Sequence, residues 1–299
     1  MTETPIIFNR KAKQSQRNRH ASSLGDYNFL FQETASRLLD RLPDIRREFH
    51  NALDMGCHGG DISENRDKNG PVKNIFQCDL SENMAARARK FAPAVAADEE
   101  FLPFKADCFD LVLSNFSLHW VNDLPGTLLQ IRHMLKNDGL FLASMAGGET
   151  LYELRHALMT AELEYEGGAS PRVSPFADVK DLGNLLTRAG FALPVADTEK
   201  ITVHYKDPFR LLNDLRGMGE SSALDMRRKT FMRRKTLLRA MEIYRETFEN
   251  SDGTCPATFE VITLTAWKPD PSQQQPLKPG SASVDLADVL TSADQDTDI

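Results

Sequence analysis

The 299-residue chain, 41% hydrophobic and 26% charged, can bury the core of one large α/β domain or two small ones, which excludes wholesale disorder. No run approaches about 18 apolar residues, so no membrane-spanning helix is expected. Most of the formal charge of −7 falls in residues 269–299, which hold six Asp and one Lys, so the overall acidity points to no particular partner.

The N-terminal stretch IFNRKAKQSQRNRHASS is basic, and no apolar segment of the kind a secretory leader needs follows it. Residues 1–27 therefore read as a basic arm. Residues 28 to 47 place Phe29, Phe31, Leu38, Leu39 and Leu42 near helical spacing, predicting a helix that covers the domain. Apolar stretches follow at Ala52–Met55, Asn74–Cys78, Ala94–Ala97, Phe109–Leu113 and Leu140–Met145, separated by segments with room for helices. Ser81 is the expected N-cap of one helix, SENMAARARKF. A second, NDLPGTLLQIRHMLKNDG, carries an apolar stripe of Leu124, Leu128, Ile131 and Leu135 and should stop at Gly139. Beyond Gly147 the pattern is helical again, in ETLYELRHALMTAELEYEG, in DLGNLLTRAGF and in a long basic helix around MRRKTFMRRKTLLRAMEIYRETF, before a closing strand near FEVITLTAW.

Strands alternating with helices predict right-handed βαβ units and a central, mostly parallel sheet with helices on both faces: an α/β, Rossmann-like fold. The expected organisation is an arm over 1–27, a domain over 28–268 with a helical insertion or substrate region at about 149–250, and an acidic disordered tail over 269–299, which has no aromatic residue to offset its ordering entropy. Cys57, Cys78, Cys108 and Cys255 form no C-x-x-C pair and sit in or beside apolar runs, as reduced thiols of a cytoplasmic protein would. A mitochondrial matrix is the alternative location.

The chemistry-bearing signals begin after the first expected strand, at LDMGCHGGD. Glycines at Gly56 and Gly60 let backbone N–H groups approach a ligand closely, while Asp54 can accept from an ammonium group and would repel a pyrophosphate. Asp79 ends the second apolar run, 25 residues further on, where a carboxylate can take both ribose hydroxyls. Asp98 and Glu99 end the third, where a side chain can accept from an adenine amine. Ammonium, ribose and adenine acceptors at successive strand ends spell S-adenosylmethionine. The fourth strand opens onto Asn115, then His119 and Trp120, where substrate and methyl donor should meet. His119 and Trp120 are the candidate catalytic residues, each weighed against a purely structural role as loop cap or core anchor.

The basic residues Arg227, Arg228, Lys229, Arg233, Arg234, Lys235 and Arg239 are interleaved with apolar Phe231, Leu238, Met241 and Phe248. This reads as a solvated helix face, with docking to an acidic or phosphate-bearing protein as the alternative, and nucleic acid is not expected as a partner.

The runs SLHWVNDLPGTLLQIRHMLKNDGLF, GGETLYELR, AELEYEGGASPRVSPF, DLGNLLTRAGF, DLRGMGES and DGTCPATFE resemble the methyltransferase-fold assembly factors of respiratory complex I, a family that includes a protein-arginine hydroxylase acting on a complex I subunit. A more distant resemblance, mainly in the cofactor half, is to malonyl-[acyl-carrier protein] O-methyltransferase of biotin synthesis. The resemblance implies the class I S-adenosylmethionine-dependent methyltransferase fold, with cofactor roles for Asp54, Gly56, Gly60, Asp79 and Asp98, and a complex I subunit as protein substrate. If His119 and Trp120 do not line the acceptor pocket, the substrate site is expected near Tyr152, Arg155 and the Ser174–Phe176 loop. One departure stands out. The usual D-x-G-C-G-x-G has His58 at its middle glycine, so an imidazole must either crowd the methionine moiety or sit on a backbone that tolerates it. None of the seven histidines begins an H-x-D or H-x-E pair, so hydroxylation rests on resemblance alone and no metal site is expected.

Three functions follow: an enzyme modifying a protein side chain in complex I assembly, which leads, a carboxyl O-methyltransferase on a malonyl-carrier type substrate, and a non-catalytic assembly chaperone.

Overall fold

The computed structural model describes residues 6–274 and 280–281. The chain divides into a compact unit, Met1–Pro269, and a segment, Asp270–Ile299, whose described part is a turn in which the Gln273 N–H donates to the Asp270 carbonyl at 3.1 Å. The expected disordered tail falls mostly outside the described residues.

The basic arm is in fact a helix, α1 (Arg10–His20), capped by the Asn9 side chain, which accepts from the Ala12 N–H. Helix α2 (Phe29–Leu39) buries Leu30, Phe31, Thr34, Ala35 and Leu38 and stops short of the expected position 47, because Pro43 disfavours helical geometry at Leu42 before it. Strand β1 (Phe49–Met55) leads through the glycine turn into a five-residue helix, α3 (Asp61–Asn65), as its polar sequence DISEN foreshadows. Then follow β2 (Val72–Asp79), α4 (Glu82–Ala88), β3 (Ala94–Ala96) and β4 (Phe109–Asn115). The Ser81 hydroxyl caps α4, accepting from the Met84 N–H as expected.

Helix α5 (Leu124–Met134), capped by Asp123, ends at Met134 and not at Gly139. Leu135 is already extended and opens β5 (Leu135–Ala146), and Gly139 lies within that strand, where a Cβ would sit 2.7 Å from the Lys136 carbonyl oxygen. Downstream are α6 (Tyr152–Glu166), α7 (Val179–Arg188), β6 (Ala192–Tyr205), α8 (Pro208–Gly217), α9 (Arg234–Phe248) and β7 (Cys255–Trp267). The long basic helix is therefore only its second half. Fully buried residues of that helix begin at Thr236, whereas in the cationic stretch before it Met226 and Phe231 are exposed and only Met232 packs against the core.

The sheet order is β3-β2-β1-β4-β5-β7-β6, with the first five strands parallel and β7 antiparallel to both neighbours. Alternating residues divide its core between two faces. Leu53, Met55, Val112, Phe141 and Ala143 pack with Leu128 and Ile131 of α5 and Leu182 and Leu186 of α7. Ala52, Leu111, Leu113, Leu140 and Leu142 pack on the other face with Ala35 and Leu38 of α2. This is the class I methyltransferase arrangement. The C-terminal ends of β1, β2, β3 and β4 lie side by side, and the crevice belongs where the strand order reverses, between β1 and β4. The four cysteines are free thiols, three of them buried.

Candidate active site

The turn after β1 is built for close approach. Gly56 has φ +67°, and a Cβ there would lie 2.2 Å from the Ser117 hydroxyl oxygen; Gly60, at φ +95°, would meet Phe91 and Gln77. His58 adopts the left-handed conformation too, at φ +48°, so the backbone tolerates the side chain that replaces the usual glycine. Its ring stacks on Phe31 (centroids 4.0 Å apart, 11° between planes), and Nε2–H donates to the Asn115 carbonyl at 3.0 Å. Burial, reinforced by Arg17, lowers the His58 pKa to about 3, so the imidazole is neutral.

Asp54 is fully buried, and neither of its carboxylate oxygens has a hydrogen-bond partner. Burial, then Asp61 and Asp79, raise its pKa well above the ordinary value. Asp79 is also fully buried and well provided with donors: Oδ1 accepts from the Ser81 N–H at 2.7 Å, and Oδ2 accepts from the His58 N–H at 3.0 Å and the Arg17 guanidinium at 3.1 Å. Of the two acids expected at the third strand end, Glu99 is the buried one, accepting from the Ser117 hydroxyl at 2.9 Å, while Asp98 lies at the rim and accepts from the Glu100 N–H at 3.0 Å. Burial opposes ionisation of Glu99, but Arg10 and Arg17 outweigh it and hold the carboxyl down at about 2. Asn115 supports the site from behind: its amide donates to the Phe31 carbonyl at 2.8 Å and its Oδ1 accepts from Ser144.

The cations that meet these acids all come from α1. Arg10, Lys13 and Arg17 are spaced by three and four residues and so share one helix face. Arg17, 1% exposed, bridges Asp79, Glu99 and Ser117; Arg10 contacts Asp98 and Glu99; Lys13, 0% exposed, pairs with Glu220. Composition gave only a basic arm. The spacing of the three cations was the available signal, and without a structure nothing showed that it faced buried acids.

Next to this cluster lies a cavity of about 380 Å³ with largely apolar walls, among them Leu30, Phe116, Leu154, Leu212 and Phe259. His119, Trp120, Ser174 and Phe176 line it together, the His119 and Phe176 rings meeting edge to face at 5.7 Å. Tyr152 does not line it: the ring is half exposed and packs edge-on to Phe248. Arg155 does not reach it either, since its guanidinium donates to the Gly148 and Thr150 carbonyls and borders a separate cavity. The loop around Ser174 is pinned from behind by the Arg172–Glu162 ion pair at 2.6 Å.

Glu220, which no sequence argument singled out, joins the two halves of the site. Helix α8 ends in a left-handed Gly219 (φ +73°), with the Gly219 N–H donating to the Arg216 carbonyl and the Glu220 N–H to the Leu215 carbonyl. This Schellman closure turns the chain so that Glu220 enters the site. Its Oε2 accepts from the Trp120 indole N–H at 2.5 Å and from His119 Nε2 at 3.3 Å, and Oε1 accepts from Lys13 at 2.6 Å. His119 Nδ1 accepts from the Ala146 N–H, which fixes the Nε2–H tautomer. Burial lowers the His119 pKa despite Glu220, so the ring is neutral, whereas Lys13 and His119 outweigh burial at Glu220 and hold it ionised. Among the described residues no group of three or more His, Cys, Asp or Glu side chains converges as metal ligands would, and no helix is long and apolar enough to cross a membrane.

Residues 53–143, which run from the end of β1 to the middle of β5, match the model of the methyltransferase domain. The crystal structure of the YcgJ protein from Bacillus subtilis shares the fold, with a TM-score of 0.54 at 15% identity over 80% of this chain and 99% of that one. Malonyl-[acyl-carrier protein] O-methyltransferase of Halorhodospira halophila is 33% identical over 86% of this chain and 87% of that protein. The mitochondrial arginine-hydroxylase NDUFAF5 of Danio rerio is 47% identical over 95% of this chain and 89% of that protein. This chain therefore belongs to the NDUFAF5 arginine-hydroxylase family.

Proposed function

We propose that this protein binds S-adenosylmethionine and acts on an arginine side chain of a respiratory complex I subunit during assembly of the complex. The observation that carries the reading is the 47% identity to an arginine hydroxylase over nearly the whole chain, including the substrate half. Hydroxylation of arginine is the reading taken over from that relative.

The residues fit the cofactor. Asp54 offers two buried carboxylate oxygens without partners, a site for an ammonium group, and Asp79 would accept from ribose hydroxyls once Arg17, which now pairs with it, moves aside. Gly56 and Gly60 carry no side chain of their own into the tightly packed turn, and Asp98 and Glu99, now paired with Arg10 and Arg17, are the acceptors we assign to an adenine amine. When bound, S-adenosylmethionine would supply an electrophilic sulfonium methyl, which serves methyl transfer; adding an oxygen to arginine would in addition need dioxygen and a two-electron reductant from outside the chain. The chain itself must bring the substrate side chain to that point and exclude water. The apolar cavity does this, and its low polarity strengthens each charge contact made within it. His119 and Trp120 belong to the substrate side of the site, and Ser174 and Phe176 close the opposite wall.

A deletion strain tests the reading. Complex I subunits from the deleted strain should lack an arginine bearing one added oxygen, which mass spectrometry reads, and assembled complex I should fall. Biotin auxotrophy with normal complex I would instead establish the carrier methyltransferase reading. Loss of assembly with every arginine unmodified in the wild type would establish the chaperone reading.

A further inference from the structure

Lys13 occupies a seat that is complete without it. Its ammonium donates to Glu220 Oε1 at 2.6 Å and to the Gly219 carbonyl at 2.8 Å, and lies 3.8 Å from the centre of the Trp120 ring. A carboxylate, a carbonyl and an indole face are the components of a cation site, and a planar guanidinium suits them as well as an ammonium, since it can donate to Glu220 Oε1 and the Gly219 carbonyl through separate N–H groups while stacking on the ring. The seat opens on the cavity: Trp120 and Glu220 line it, and Glu220 is the one carboxylate among its lining residues. The other charged residues in those walls, Arg172 and Arg216, are cationic. A buried guanidinium needs a counter-charge, and only Glu220 provides one there. Burial lowers the Lys13 pKa to about 7 in spite of Glu220, so its hold on the seat is weakened.

We propose that Glu220, with the Gly219 carbonyl and the Trp120 ring face, is the seat that receives the substrate's guanidinium, and that Lys13 of α1 holds the seat until the substrate arrives. The proposal rests on the arginine reading above and names the residue that selects arginine over neutral side chains. Glu220 is thus a specificity residue, and its placement by the left-handed Gly219 explains the G-M-G-E run that the cofactor chemistry does not use.

The test uses the full-length chain and two probes, N-acetyl-arginine amide and its neutral citrulline counterpart, with affinities read by calorimetry. Lys13→Met, which removes the competitor, should bind the arginine probe about tenfold or more tighter than wild type and leave citrulline unchanged, and adding Glu220→Gln should abolish the gain. Equal gains for both probes, or none, would overturn the seat. In the deletion strain, Glu220→Gln at wild-type protein level and melting temperature should fail to restore the oxygenated arginine. Restoration to the wild-type level would also overturn the seat while leaving the arginine reading intact. If the wild type itself restores no modified arginine, the reading falls, and the probe preference of Lys13→Met alone decides the seat. That measurement also decides it if Glu220→Gln does not fold.

Discussion

Asp54 and His58 stand four residues apart on one turn, and burial favours the neutral form of each: it raises the pKa of the acid and lowers that of the imidazole. A cation brought to Asp54 restores its charge, so binding of S-adenosylhomocysteine, which carries the ammonium, should release a proton. Affinity should then fall as pH drops below the raised pKa of the unliganded site, because the protonated carboxyl must first be ionised. Calorimetry in two buffers of different ionisation enthalpy reads the proton directly, and identical heats would exclude Asp54 as the ammonium acceptor. His58 has a different role. Its ring fills the space between Phe31 and the Asn115 carbonyl, so His58→Gly relieves the left-handed backbone but opens a cavity. The packing loss is the larger effect, and the variant should be about 2 to 4 kcal/mol less stable in urea denaturation. A variant as stable as wild type would show that the imidazole packs against nothing that matters.

Helix α1 sets Arg10 and Arg17 against the acids of the strand ends and Lys13 against Glu220, and most of that charge is out of water. Such pairs are costly to break because the partner left behind stays buried. Arg17→Gln, which leaves Asp79 and Glu99 without their shared guanidinium, should therefore cost about 3 to 5 kcal/mol, measured by chemical denaturation. A loss below about 1 kcal/mol would mean that water reaches the two carboxylates and that α1 docks through Phe8 and its neighbours instead. Among the surface helices, α9 is the opposite case. Arg239 meets Glu164, Glu242 and Glu246 on an exposed face, where ion pairs add little, and the helix is held by Ala240, Met241, Ile243 and Tyr244 beneath it.

For the molecule as a whole, the cofactor half and the substrate half meet through α1, His119, Trp120 and Glu220, so a ligand on either side acts on a shared set of charges. S-adenosylhomocysteine at a hundredfold its dissociation constant should raise the unfolding free energy by about 2.7 kcal/mol, seen as a higher melting temperature. A melting temperature unmoved by the ligand up to millimolar concentration would sink the cofactor assignment.

The sequence by itself determined the parallel strands and their order of use. Each was a short apolar run between turn-forming segments, and the acids at Asp54, Asp79 and Asp98–Glu99 lie at or just beyond the C-terminal ends of β1, β2 and β3. Strand β6 was not legible, because at the sheet edge it is only half covered and its residues mix Glu199, Lys200 and Thr202 with Ile201 and Val203. The stop of α5 at Met134 was misplaced at Gly139 because a glycine within a strand and a glycine after a helix look alike until the partner strand is known. What only the tertiary structure decided is which charges meet. Arg10, Lys13 and Arg17 are separated from Glu99 and Glu220 by about 80 to 200 positions, and no local period records such a pairing. The ion pairs form because the sheet brings the C-terminal ends of β2, β3 and β4 together, and burial there leaves Asp79 and Glu99 in need of the counter-charge that α1 supplies through Arg10 and Arg17.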